Sequence, residues 1–79
     1  MSVRVLFFGA TADIAGKREI EISVDLAATT ETVLQDILRR FPSMASHKLH
    51  ISINQHYAKG DEIISDGDEL AVFTPVSGG

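Results

Sequence analysis

The terminal pair Gly78-Gly79 has more chemistry open to it than any other feature of this sequence. Neither residue carries a side chain, so a segment ending this way can thread a narrow channel and present a main-chain carboxylate to another protein. A free carboxylate is a poor electrophile. Joined to AMP it becomes a reactive acyl group, and attack by a sulfur donor then yields a thiocarboxylate, which is a nucleophile. The chain has no cysteine, so sulfur handled here has no thiol of its own to ride on. The terminal carbonyl is the natural place for it. A frayed end is the plainer reading of a terminal Gly-Gly. Against it stand a strand signal directly before the tail and Pro75, whose fixed φ favours extension as the tail departs. From Pro75 to Gly79 the extended reach is roughly 15 Å.

Other candidate chemistry is thinner. His47 and His50 have a metal-pair spacing, but no third ligand lies near in sequence, and surface histidines are the favoured reading. Asp66-Gly67-Asp68-Glu69 is similar to a fragment of a calcium loop but lacks its spaced ligands and closing Glu, so it reads as a solvated turn. Ser65 and Ser77 have no base and orienting group around them. The six glycines are scattered and form no phosphate-binding loop. No metal and no cofactor bound by the chain is expected.

Composition narrows the classes further. At 79 residues there is room for one domain, spanning 1–79, and little for an enclosed cavity. A net charge of −4 offers nothing to a phosphate backbone, so a basic protein surface is a better partner than nucleic acid. No apolar run approaches the roughly 20 residues that span a bilayer, so no membrane association is expected. The run Val5-Leu6-Phe7-Phe8 stops at Gly9-Ala10, too short for a signal-peptide core, and the expected location is cytoplasmic.

The elements that must position the tail are legible in outline. Residues 3–8 are β-branched and aromatic and predict a first strand. Residues 9–17, broken by small residues and Gly16, read as a connection. Residues 19–24 alternate strictly, predicting a second strand with Ile20, Ile22 and Val24 inward. Thr32 and Gln35 have the spacing of a capping box, followed by a stripe of Val33, Leu34, Ile37, Leu38 and Phe41, with Arg39 and Arg40 in the last turn and Pro42 as a stop. This predicts a helix over 33–41. Strands follow at 49–53 and around 56–58, joined by a turn at Asn54-Gln55. An irregular segment spans 59–64, a tight turn 65–68, a last strand 69–74, and 75–79 is an extended tail. One helix packed across one mixed sheet is the simplest way to bury these faces, with the helix crossing from the second strand to the third. The predicted class is α+β, with the β-grasp or ubiquitin-like architecture.

Alternation also divides the first and last strands into two faces. The uniformly apolar set Val3, Val5, Phe7, Leu70 and Val72 is assigned to the core. Leu6, Phe8 and Phe73 then stand on the open face at the root of the tail. Scattered surface apolar residues are ordinary, but clustered ones there suit a partner interface. With Pro75, Val76 and Ser77 they are the candidate partner-binding residues, and Gly78 and Gly79 the candidate reactive end.

With these pieces in place the chain resembles the small-subunit family of molybdopterin synthase over nearly its whole length. The resemblance lies in Val5-Leu6-Phe7-Phe8, Ile53-Asn54-Gln55, Asp66-Gly67-Asp68-Glu69 and Pro75-Val76-Ser77-Gly78-Gly79. It departs where the family often has a second proline, a position held here by Thr74. The resemblance implies that a ubiquitin-activating-like adenylyltransferase adenylates Gly79 with ATP and that a sulfur donor makes the thiocarboxylate. It further implies that the tail enters the large catalytic subunit of a heterotetramer, which holds most of the catalytic side chains. There the sulfur passes to a cyclic pterin precursor to build the dithiolene that holds molybdenum, making the small subunit the sulfurtransferase donor. Two neighbouring readings share the Gly-Gly end: a carrier for thiazole synthesis or tRNA thiolation, and a ubiquitin-like modifier that forms isopeptide bonds.

Overall fold

The computed structural model describes residues 1–75. Five strands form one mixed sheet: β1 (Ser2–Phe7), β2 (Glu19–Ser23), β3 (His50–Ile53), β4 (His56–Tyr57) and β5 (Glu69–Phe73), in the order β2-β1-β5-β3-β4. β1 runs antiparallel to β2 and parallel to β5, and β3 is antiparallel to β5 and β4. The short helix α1 (Ala10–Ala15) follows β1, and the main helix α2 (Thr30–Arg40) joins β2 to β3. This is the β-grasp arrangement. Among the described residues no helix is long and apolar enough to cross a membrane.

The core lies between the sheet and α2. Val3, Val5 and Phe7 of β1 meet Leu70 and Val72 of β5, with Ile22, Ile51, Ile64 and Met44 around them and Val33 and Ile37 from α2 above. Each fully buried side chain of this kind contributes about 1.5–3 kcal/mol, so the alternation sets the register. Val5 pairs with Leu70 and Phe7 with Val72. A slip by one residue would exchange them for Leu6, Ala71 and Phe73. The face assignment read from the sequence is the one observed.

Three local expectations need correction. Residues 9–17 are not a bare connection, because Ala10–Ala15 is helical. Gly16, read as a break, is its left-handed C-cap, with its N–H bonded to Ala12 O at 2.9 Å. A helix this short has no stability alone; it is held because Ala12, Ile14 and Ala15 pack against the core. The main helix starts earlier than 33. Its cap is Thr29, whose hydroxyl accepts from Thr32 N–H at 3.3 Å while Thr32 returns the bond at 3.4 Å. The Gln35 side chain donates instead to Glu31. Finally, Pro42 ends α2 but opens a 3-10 turn over Pro42–Ser46, which buries Met44.

The motif turns are structural and lie at the far end of β5 from the tail. Ser2 N–H donates to Asp66 Oδ1 at 2.8 Å, Gly67 N–H to Ser2 O at 2.9 Å, and Arg4 N–H to Asp68 O at 3.0 Å, aligning β1 with the start of β5. Asn54, with Gln55 in a positive-φ turn, donates to Asp68 Oδ1 and accepts from Glu69 N–H, both at 3.1 Å.

The irregular segment 59–64 closes the N-terminus of α2. Thr30 N–H donates to Glu62 O and Glu31 N–H to Gly60 O, both at 3.0 Å. The Glu62 carboxylate accepts from Lys59 N–H at 2.7 Å, the buried Thr30 hydroxyl at 2.8 Å and Gly60 N–H at 2.9 Å. These donors, the Lys59 N–H foremost, lower its pKa from 4.5 to about 2. A depressed carboxylate favours the folded state above its unfolded pKa, and the benefit disappears as pH falls through the folded value. Urea unfolding of wild type and Glu62→Gln should therefore show a stability gap that is full at neutral pH and closes between about 4.5 and about 2. A gap that does not change with pH would exclude this role for the carboxylate.

Candidate functional site

Among the described residues, no element covers the face of the sheet opposite α2. Along β1 it presents Arg4, Leu6 and, just past the strand, Phe8; along β5, Glu69, Ala71 and Phe73; along β3, His50 and Ser52; and on β4, Tyr57. The face divides by chemistry. At the motif-turn end, Arg4 lies 3.5 Å from Glu69 and 3.8 Å from Glu19. Such exposed pairs add little stability but keep that end wet and polar. At the tail end the face is aromatic.

The aromatic end is built by register. β3 pairs His50 with Phe73, and β4 brings Tyr57 opposite Ser52. The His50 ring stacks on Phe73, with centroids 5.9 Å apart and planes at 18°. Tyr57 lies 5.9 Å from Phe73 and edge-on to His50 at 6.3 Å. Tyr57 stays 76% exposed and Phe8 53% exposed, so much apolar area faces water. Phe73 forms a ridge between two grooves. One, of about 670 Å³, is lined by His50, Tyr57, Ala58, Phe73, Thr74 and Pro75. The other, of about 370 Å³, is lined by Phe8, Gly9, Phe73 and Thr74. Both open at the point where β5 hands over to the tail.

The expected site residues fall as follows. Phe8 and Phe73 share a groove, Pro75 lines the other, and Leu6 is half-buried on the same face beside Ala71. Val76, Ser77, Gly78 and Gly79 lie outside the described residues. Sequence reasoning missed His50, Tyr57, Ala58 and Thr74 as neighbours of this surface. The signal for His50 is present: it alternates out of phase with the inward Leu49, Ile51 and Ile53, so it must share a face with Ser52. That it meets Phe73 depends on strand order, which alternation does not reveal. The spacing of His47 and His50 suits a metal pair, yet among the described residues no group of three or more metal-ligating side chains gathers, and the His50 ring packs on aromatic neighbours.

With a bare apolar face at the root of a Gly-Gly tail on a β-grasp scaffold, comparison with known proteins becomes decisive. The ThiS family model matches residues 5–79. The chain belongs to the ThiS family. Among curated relatives, the molybdopterin synthase sulfur carrier subunit of Chlamydomonas reinhardtii is 32% identical over 100% of both chains. Among solved structures, the crystal structure of SAMP1 from Haloferax volcanii superposes with a TM-score of 0.88 at 30% identity, covering 100% of each chain. A chain of the protein–protein complex of subunits 1 and 2 of the molybdopterin-converting factor from Helicobacter pylori gives 0.71 at 26% identity, again over 100% of each. The ThiS scaffold therefore accounts for the whole fold.

The two faces of β5 differ in what substitution costs. Leu70→Ala, in the closed core, should lose about 2–5 kcal/mol of unfolding free energy. Phe73→Ala, on the open face, should lose no more than about 1.5 kcal/mol, the scale of its aromatic pairings. Chemical denaturation of both variants measures the difference. Equal losses would mean that the aromatic end is part of the core and not a free surface.

Proposed function

We propose that this chain is the sulfur carrier subunit of a molybdopterin synthase, working through the carboxylate of Gly79. The observation that carries the reading is the placement of the exposed aromatic face at the root of the tail. A partner gripping Phe8, Leu6, Phe73 and Pro75 lies where Val76 and Ser77 can lead Gly78 and Gly79 into its active site. Support comes from the carrier relatives, which align over the full length, and from the Helicobacter pylori complex, whose two subunits suggest a large-subunit partner.

The chemistry follows in three steps. A carboxylate oxygen of Gly79 attacks the α-phosphorus of ATP on a ubiquitin-activating-like adenylyltransferase, and pyrophosphate leaves. A sulfide-level donor attacks the acyl carbon and displaces AMP, leaving a thiocarboxylate. On the large subunit that sulfur attacks a carbon of the cyclic pterin precursor and displaces an oxygen substituent from it. Water then cleaves the resulting thioester, leaving the sulfur as a thiol on the pterin and restoring the carboxylate of Gly79. Repetition supplies the second sulfur of the dithiolene. The chain binds no cofactor of its own in this scheme; ATP belongs to the activating enzyme and most catalytic side chains to the large subunit. The assembly is a heterotetramer working in the cytoplasm.

A second reading has specific support. The Haloferax volcanii small archaeal modifier protein 1 is 34% identical and aligned over 94% of its length, so a modifier role shares the same scaffold. Mass spectrometry separates the two. After incubation with ATP, the adenylyltransferase and a sulfur source, a carrier gains one sulfur-for-oxygen exchange, localised to Gly79 by fragmentation. With no cysteine present, no persulfide confuses the assignment. A chain lacking Gly79 should fold normally and gain nothing. Phe73→Ala should bind the large subunit about tenfold more weakly or worse. Isopeptides to lysine with no stable thiocarboxylate would favour the modifier, and a free carboxylate after reconstitution with a verified activating enzyme would reject the carrier.

A further inference from the structure

The ladder between β1 and β5 does not end in an ordinary rung at the tail. Phe8 N–H lies 3.4 Å from Val72 O, beyond the distance of a good N–H···O bond. The hydroxyl of Thr11, carried on α1, is inserted at this place. It accepts from Phe8 N–H at 3.0 Å and lies 2.7 Å from Val72 O and 2.9 Å from Phe8 O, which share its single proton. Thr11 is 0% exposed, so water does not compete for these partners. Val72 is the last buried residue of β5, and Phe73, Thr74 and Pro75 come next.

We propose that Thr11 is a positioning residue for the tail: its hydroxyl, spliced between Phe8 and Val72, fixes the direction in which residues 73–75 leave the sheet relative to the aromatic face. The inference rests on the carrier reading above. Phe8 and Phe73, the two apolar residues that border one groove, each adjoin or form this junction. A partner that holds the face can deliver Gly79 to its reacting group only if face and tail root keep a fixed relation. For a tail held extended by its partner, with a reach of roughly 15 Å, a tilt of about 5° at the root would move the end by about 1 Å. A displacement of that size can cost roughly a hundredfold in rate. Without the hydroxyl the β1 side of the junction reaches Val72 only through its long rung from Phe8 N–H, while Phe73 stays paired with His50 on the β3 side.

The test is ATP–pyrophosphate exchange catalysed by an adenylyltransferase that is active on the wild-type chain, with the chain as the varied substrate. Each variant is assayed below its own unfolding midpoint. Thr11→Val keeps the volume and removes the hydroxyl. Its kcat should fall about tenfold or more, while the concentration for half-saturation changes by less than about twofold, because the docking face is intact. Thr11→Ser, which restores the hydroxyl, should recover the rate to within about threefold of wild type. If Thr11→Val does not fold, Thr11→Cys, with similar volume and a weak donor, carries the same comparison. An unchanged kcat, a defect confined to half-saturation, or failure of Thr11→Ser to rescue would overturn the proposal. A wild-type chain inert with an enzyme proven on another carrier would instead defeat the carrier reading itself.

Discussion

The parallel pairing of β1 with β5 is the constraint on which the rest of this structure depends. These strands are central in the sheet, and their inward residues Val5, Phe7, Leu70 and Val72 are all but inaccessible to water. Parallel neighbours cannot be joined by a tight turn. The chain must travel through β2, α2, β3 and β4 before β5 can insert beside β1. Nearly all the core is thus committed before the last strand completes it, and the last strand leads straight into the tail. The root of the tail, Phe73 to Pro75, therefore departs from the central strand of the sheet.

The same pairing separates the functions of the two faces. Inward side chains of β1 and β5 meet α2 and are consumed in stability. Among the described residues, outward side chains meet no element outside the sheet, and in the proposed function their chemistry serves a partner. The polar end, with Arg4 between Glu19 and Glu69, and the aromatic end, with His50, Tyr57 and Phe73, lie on one continuous surface. In the proposed function a docking partner would bind at the end from which the tail emerges, because that is where apolar area remains unburied. α1 belongs to the same design. It caps no core of its own, but it covers the edge of the β1–β5 junction and brings one buried hydroxyl to it.

Much of this architecture is legible in the residues alone. Period-two alternation in 3–8, 19–24 and 69–74 marks the strands and separates Phe7 from Phe8 and Val72 from Phe73. The stripe from Val33 to Phe41 marks the main helix. The departures are local and have long-range causes. α2 starts at Thr30 because Gly60 and Glu62, about thirty positions away, supply acceptors for its first N–H groups. Residues 10–15 are helical because the sheet offers a surface for Ala12, Ile14 and Ala15; their composition alone reads as a loop bounded by glycines.

By itself the sequence determined which side chains share a face, because alternation is a property of the extended backbone and needs no partner strand to be read. It also supplied the residues on which the proposed chemistry rests, since Gly78, Gly79 and the lack of cysteine are matters of composition. Strand order was decided only by the tertiary structure, through the burial that places β5 between β1 and β3. From that order alone come the meeting of His50 and Tyr57 with Phe73 and the insertion of the Thr11 hydroxyl between Phe8 and Val72. These contacts join residues up to 61 positions apart, and no local pattern encodes a distance that only the closed core can fix.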